Sequence, residues 1–219
     1  MHKLNRNAVP APACITPHDP ARRYNNLHGP QKAEIRTALI AIQRERCAYC
    51  ERRTGMANDD GHIEHFQNQA GHEHLETDWT NLFWSCNDEK TCGKHKDKCD
   101  MPQSPGPQRS FNLADIIKPC TDDPEHFMRF ISDGTVTPRD NLNAQELHRY
   151  QETVRVFQIA DSPYLRKARE DAVHPYIGAL DSLRAAGPEY FQQYITGEIA
   201  RLEAAPFATA IRHFLQSNL

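Results

Sequence analysis

No run of apolar residues in this chain approaches the roughly 20 that a membrane-spanning helix needs, so no such span is expected. The opening residues, MHKLNRNAVPAPACI, lack the apolar stretch of a secretory signal. Both absences point to a cytoplasmic protein. A basic excess is missing as well: the formal net charge is −3. That argues against a protein that coats nucleic acid unaided, but local charge at a site can differ from the total. It suggests that something else helps to hold any nucleic-acid substrate. No repeat of fixed period is present. HIEH and HEH do not supply the HExxH or HxxEH spacing that sets a metalloprotease pair on one helix.

What is present is a polar globular composition, 38% hydrophobic and 25% charged over 219 residues. That length can bury a core as one domain or as a small domain with an extension. Seven cysteines accompany it. Thiols stay reduced in the cytosol, where clustered cysteines hold metal more often than they form disulfides.

Residues 1–30, rich in Pro, Asn and His, read as an extended N-terminal arm, either draped over another surface or loosely ordered. Residues 31–120 read as the core, and 121–219 as a hairpin with a helical C-terminal region. Helical spacing of Ile35, Leu39 and Ile42 predicts a helix over Gln31–Arg46, with Pro30 at its start. His62–Phe66 reads as a short strand, between a polar, turn-prone connection at 55–61 and a loop at 67–76. Asp78 or Thr80 is a candidate cap for a helix beginning within 78–85. Prolines 102, 105 and 107 with Gly106 punctuate the chain after Cys99. Phe127–Ile131 and Val136–Pro138, joined by Asp133-Gly134, predict a β-hairpin. Four helices are expected beyond Asn143, with apolar stripes on Leu147/Tyr150/Val154/Phe157, Leu165 to Leu183, Phe191 to Leu202, and Phe207 to Leu215. Pro175 marks a kink or break in the second. The fold class is α+β, mostly helical.

Cys47 to Cys92 organises the whole. Cys47-Ala-Tyr-Cys50 and Cys86…Cys92 form two knuckles, and four thiolates satisfy a tetrahedral zinc ion. Cys99 is an alternative to Cys92. Cys14 and Cys120 have no partners in sequence and read as ordinary small residues. Between the knuckles lies Glu64-His65. A carboxylate there can bind a hard divalent cation while a neutral imidazole takes a proton from water. The two converge only at a bend or a strand end. His62, His72 and His74 are extra histidines that could bind metal or phosphate, and exposed residues are the simpler reading of each. Lys90, Lys94, Lys96 and Lys98 cluster as candidate phosphate contacts.

Glu64-His65, then Asn81-Leu82, then Cys86 and Cys92-Gly-Lys-His-Lys96, resemble the HNH endonucleases. Segments QRERCAYCE, IEHF and DWTNLFWSC are similar to the HNH subunit (PtuB) of Septu-type and retron-associated anti-phage systems. The resemblance implies a ββα-metal motif of hairpin and helix, stapled by the zinc-bound knuckles. It implies Glu64 as ligand of a catalytic Mg2+ or another divalent cation, His65 as general base, and Asn81 as the residue that ties the loop. In the third position typical members place a residue where this chain has Gly93. His95 is the nearest imidazole, and Asn87 is an alternative ligand. The implied activity is hydrolysis of phosphodiester bonds in DNA or RNA. The implied partners are a PtuA-like ABC-type ATPase and, beyond it, a retron reverse transcriptase with its msDNA. An adaptor with an inactive centre is the competing reading. The chain departs from its relatives at Gln67-Asn68-Gln69, where they carry basic and proline residues, and this bears on grip of the substrate.

Overall fold

The computed structural model describes residues 1–55, 60–100 and 109–219, and backbone alone at 185 and 186. The proline-punctuated stretch at 102–107 and residues 56–59 of the polar connection lie outside the described residues. Seven α-helices and four strands are described. They are α1 (Gly29–Gln43), β1 (Gly61–His65), β2 (Leu82–Cys86), α2 (Cys92–Cys99), α3 (Pro124–Phe127), β3 (Met128–Phe130), β4 (Val136–Pro138), α4 (Ala144–Phe157), α5 (Pro163–Ala186), α6 (Pro188–Arg201) and α7 (Ala208–Gln216). The chain is mostly helical, with two small antiparallel sheets. No helix among the described residues is long and apolar enough to cross a membrane.

The N-terminal arm is draped over the chain's own core. Met1, Leu4, Ile15 and Leu27 are buried, and Leu4 N donates to Pro119 O at 2.8 Å. Buried Glu51 receives the Met1 amino group at 2.9 Å, Arg46 at 3.5 Å and Thr209 N at 3.0 Å. Burial alone would raise the Glu51 pKa, but the amino group, His2 and Arg46 hold it well below the usual range. One apolar cluster runs from Met1 through Cys47, Tyr49, Phe83 and Phe157 to Leu215. The arm, the central segment and the helical C-terminal region therefore share a core.

β2 differs from the helix expected around 78–85. The Asp78 cap forms, with its carboxylate accepting from Thr80 N, but it caps a single 3-10 turn. Leu-Phe-Trp-Ser-Cys then extends as a strand whose five residues are all buried, leaving no polar alternation to read. β2 pairs with β1 in the register Gly61↔Cys86, Ile63↔Trp84, His65↔Leu82. Its other edge is closed by a side chain. Buried Gln43 accepts from Trp84 N at 2.8 Å and donates to Trp84 O at 2.7 Å, acting as a surrogate strand. β1 is left as the edge strand of the pair.

The second hairpin follows the reading closely. Gly134 sits at φ +79°, and a Cβ there would lie 1.9 Å from Arg166 O, so the turn requires glycine. Buried Arg169 donates to Gly134 O at 2.9 Å and to Ile159 O, fixing α5 against the turn. α5 itself continues unbroken through Pro175.

Candidate active site

The sulfur frame comes from three element ends. α1 closes with Arg44 and Glu45 in the left-handed region (φ 54° and 56°), which turns the chain into Cys47 and Cys50. Cys86 ends β2 and Cys92 opens α2. The four buried Sγ atoms lie within 4.8 Å of one another, and Cys50 and Cys86 are 3.9 Å apart. Four sulfurs at ~2.3 Å from one tetrahedral ion would stand about 3.8 Å apart. The cluster can therefore hold a metal ion such as zinc. Cys99 is not part of it; its Sγ is 3.7 Å from His95 Nδ1. Burial would raise the Cys47 thiol, yet the thiols of Cys50, Cys86 and Cys92 pull it well below its ordinary value. Cys47, with Cys86, pushes Cys50 far up. Tyr49, inside the knuckle, stacks on Phe157 of α4 at 4.1 Å, a contact that ties the frame to the helical region.

Glu64 and His65 lie at the C-terminal end of β1 and point to opposite faces of the strand, as a pleat dictates. Glu64 faces α2; His65 faces the N-terminal arm. Both still line one open cavity of about 430 Å³ at the strand edge, together with His62, Asn68, Gln69, Asp97 and Asp100. The His65 ring is fixed from two sides. Nε2 lies 3.0 Å from Glu76 O, and the Tyr24 ring meets it edge-on at 4.9 Å. A carbonyl oxygen only accepts, so this contact assigns the proton to Nε2 and leaves the lone pair on Nδ1. Burial lowers the His65 pKa against the opposing pull of Glu76 and Glu64, so the ring is neutral near pH 7.

Asn81 is buried beneath this pair. Its Oδ1 accepts from Gln67 N at 2.8 Å, and its Nδ2 donates to Gln67 O at 3.0 Å and Leu75 O at 3.1 Å. It thereby closes the loop that carries Glu76.

α2 presents Gly93, Lys96, Asp97 and Asp100 toward Glu64. A Cβ on Gly93 would sit 2.5 Å from Glu64 Oε2, so the carboxylate occupies the space a side chain would fill. Lys96 is fully buried. Its Nζ lies 3.0 Å from Glu64 Oε1, 3.0 Å from His65 O, 3.1 Å from Asp97 Oδ1 and 3.4 Å from Asp100 Oδ2. The Glu64 contact has ion-pair distance without hydrogen-bond geometry, so buried Oε1 has no hydrogen-bond partner. Burial would raise the Glu64 pKa; Lys96 and His62 outweigh it and hold the carboxyl below its usual range.

His62 is half-buried rather than an exposed loop residue. Its Nδ1 lies 2.9 Å from Asn87 Oδ1 and its Nε2 3.4 Å from Glu64 Oε2. Burial opposes its protonation, but Glu64 and Asn87 raise its pKa overall. His62, Glu64 and Asp97 thus offer imidazole and carboxylate donors around one cavity, a donor set that suits a cation, with the Lys96 ammonium already facing Glu64 Oε1. His62 reads in the sequence as a possible ligand but more simply as an exposed residue, and Asp97 does not stand out at all. Their signal was spacing: two residues before Glu64 on a strand, and four after Gly93 on a helix.

Two expectations are corrected. His95 stands two residues from Gly93, about 200° around the helix, and faces α4 with Nδ1 2.8 Å from Val156 O. It is not brought to Glu64. Lys96 is a buried counter-ion, not a phosphate contact. Lys94 and Lys98 reach toward Glu89, at 3.9 and 3.2 Å, and Lys90 is exposed. None of the three lines the cavity of Glu64 and His65.

No family model matches the chain. It is similar to a Vibrio cholerae (serotype O1 biovar El Tor) protein named "Retron Vc95 putative HNH endonuclease", 26% identical over 174 residues, 75% of each chain. It is also similar to the Septu protein PtuB of Bacillus thuringiensis, 28% identical over 101 residues, which cover 46% of this chain and 34% of that protein. Both relatives support the resemblance to PtuB and retron-associated HNH proteins that the sequence carries.

Proposed function

We propose that this chain is a divalent-metal-dependent endonuclease that hydrolyses phosphodiester bonds. The observation that carries the reading is the convergence of Glu64 and His65 on one open cavity beside the thiol frame. Antiparallel β1 and β2 with α2 after them support reading this stretch as a ββα-metal motif.

His65 Nδ1 accepts the proton of an attacking water, and Glu76 O holds the ring as it becomes imidazolium. Glu64 would hold the catalytic cation, with His62 and Asp97 as the other donors at hand. Bound there, a divalent cation would supply charge stabilisation at the leaving oxygen. Lys96 keeps Glu64 ionised, and Asn81 keeps the Glu76 loop in place. Zinc at Cys47, Cys50, Cys86 and Cys92 is structural.

By similarity to a Septu protein and a retron protein, the chain acts as effector of an anti-phage complex with a PtuA-like ABC-type ATPase. Residues 31–120 are proposed as the nuclease core, between the N-terminal arm and the helical region.

A zinc-stapled adaptor with an inactive centre is the second reading. It is favoured by the Lys96 ammonium against Glu64 and by His95 facing away. Titrating Mg2+ into labelled DNA and RNA with wild type and His65→Ala separates the two. Metal-dependent cleavage by wild type alone supports the enzyme; equal nicking by both removes the catalytic assignment.

A further inference from the structure

A second cavity, also of about 430 Å³, adjoins the first across His62 and Ile63, which line both. It runs between α1 and β1 and is walled by Tyr24, Lys32, Arg36, Gly61 and Trp84. The two cavities differ in charge. The first holds Glu64, Asp97 and Asp100. The second holds two cations, and no carboxylate is among the described residues that line it. Lys32 Nζ stands 4.8 Å over the Tyr24 ring, whose edge contacts His65. One arm residue therefore touches both the lysine and the general base. Trp84 is 2% exposed, and its indole Nε1 has no hydrogen-bond partner. A buried donor left unpaired is unfavourable, so an acceptor from a bound molecule would relieve it.

We propose that this groove holds the nucleic-acid strand flanking the scissile phosphate. Lys32 and Arg36 of α1 contact its backbone phosphates, and Trp84 offers a donor to the strand. The inference rests on the nuclease reading for the identity of the polyanion. It moves phosphate recognition from the lysines beside Cys92 to α1, on the side where His65 faces. A strand lying along the edge of β1 would pass from the cationic groove into the cavity of Glu64 and His65. The acidic total charge then poses no obstacle, because grip is local.

The test measures binding apart from cleavage. Full-length His65→Ala, without added Mg2+, is titrated into labelled single-stranded DNA and RNA at several salt concentrations. The same is done with Lys32→Gln/Arg36→Gln and, as control, Lys90→Gln/Lys98→Gln in that background. The groove variant should bind roughly tenfold or more weakly and lose about 1.4 from the slope of log Kd against log salt, since each phosphate neutralised on a single strand contributes about 0.7. The control should match its parent. Should the double variant fold poorly by circular dichroism, Lys32→Gln alone should remove about 0.7. An unchanged slope, or no binding by the parent to either nucleic acid, overturns the groove. Groove-dependent binding without metal-dependent cleavage by wild type would sink the nuclease reading alone. Cleavage with an unaltered slope would sink the groove alone.

Discussion

Lys96 Nζ and Glu64 Oε1 lie 3.0 Å apart, both shielded from solvent, at the contact of α2 with β1. Removing one partner of a buried pair leaves the other uncompensated, at a cost of ~3–5 kcal/mol. Lys96→Met should therefore destabilise the fold by about that amount at pH 7. The sign with pH follows from Glu64. Its folded pKa is depressed below the ordinary 4.5, so its stabilisation is complete above that value and lost as pH falls through the folded one. Without Lys96, the first of the groups that lower it is gone, and the folded pKa moves up. Denaturation of both proteins at neutral and acid pH should show their difference shrinking as pH falls through the folded pKa of Glu64. A difference independent of pH would rule out the pairing.

The thiol cluster should make metal and folding inseparable. Zinc binding at such sites is folding free energy of order 10 kcal/mol. Cys47→Ser should lose zinc and unfold the central region, as read by metal analysis and thermal melting. Normal zinc content with an unchanged melt would refute the frame. Cys99→Ser should keep its zinc, because that sulfur lies outside the cluster.

Gly93→Ala probes how tightly Glu64 is seated. The added Cβ would start 2.5 Å from Oε2, so the carboxylate must shift. Overpacking of this kind costs ~1–3 kcal/mol, and cleavage should fall with it. Wild-type rates in this variant would show that the position of Glu64 does not matter.

Asn81→Ala deletes three hydrogen bonds at once, two of them to Gln67. Buried groups left unpaired cost ~1–3 kcal/mol each. The loop carrying Glu76 O should loosen, so kcat should fall more than substrate affinity. Hydrogen exchange over residues 66–76 should rise in parallel. Protection equal to wild type would separate Asn81 from the loop.

Much of this arrangement was legible in the chain, and the misses have physical causes. Cys47 and Cys50 announced themselves by spacing, and Asp133-Gly134 by the turn it must make. Of the two cap candidates, Asp78 and Thr80, it is Asp78 that caps, though only a single turn, and β2 is hidden because a strand buried on both faces shows no alternation. His95 and Lys96 were misassigned for a related reason. Sequence proximity to Cys92 was taken as proximity to the site, whereas each helical step turns about 100°. That rotation brings Asp97 to Glu64 and carries His95 to α4. His62 offers itself in the sequence as a possible ligand but more simply as an exposed residue, because its partners, Asn87 and Glu64, are set by the register of two strands. The arm gave no periodic signal at all; its fold comes from contacts with distant residues, such as Leu4 with Pro119.

The central claim is that His65 acts as the base. The most direct test is the pH dependence of kcat/KM for nucleic-acid cleavage at saturating Mg2+, in wild type and His65→Ala. Burial lowers the His65 pKa from 6.5, so wild-type activity should rise with pH and reach half its plateau below that value. His65→Ala should lose ~10²–10⁴-fold and the acid limb with it. Equal rates for the two proteins at every pH would contradict the account.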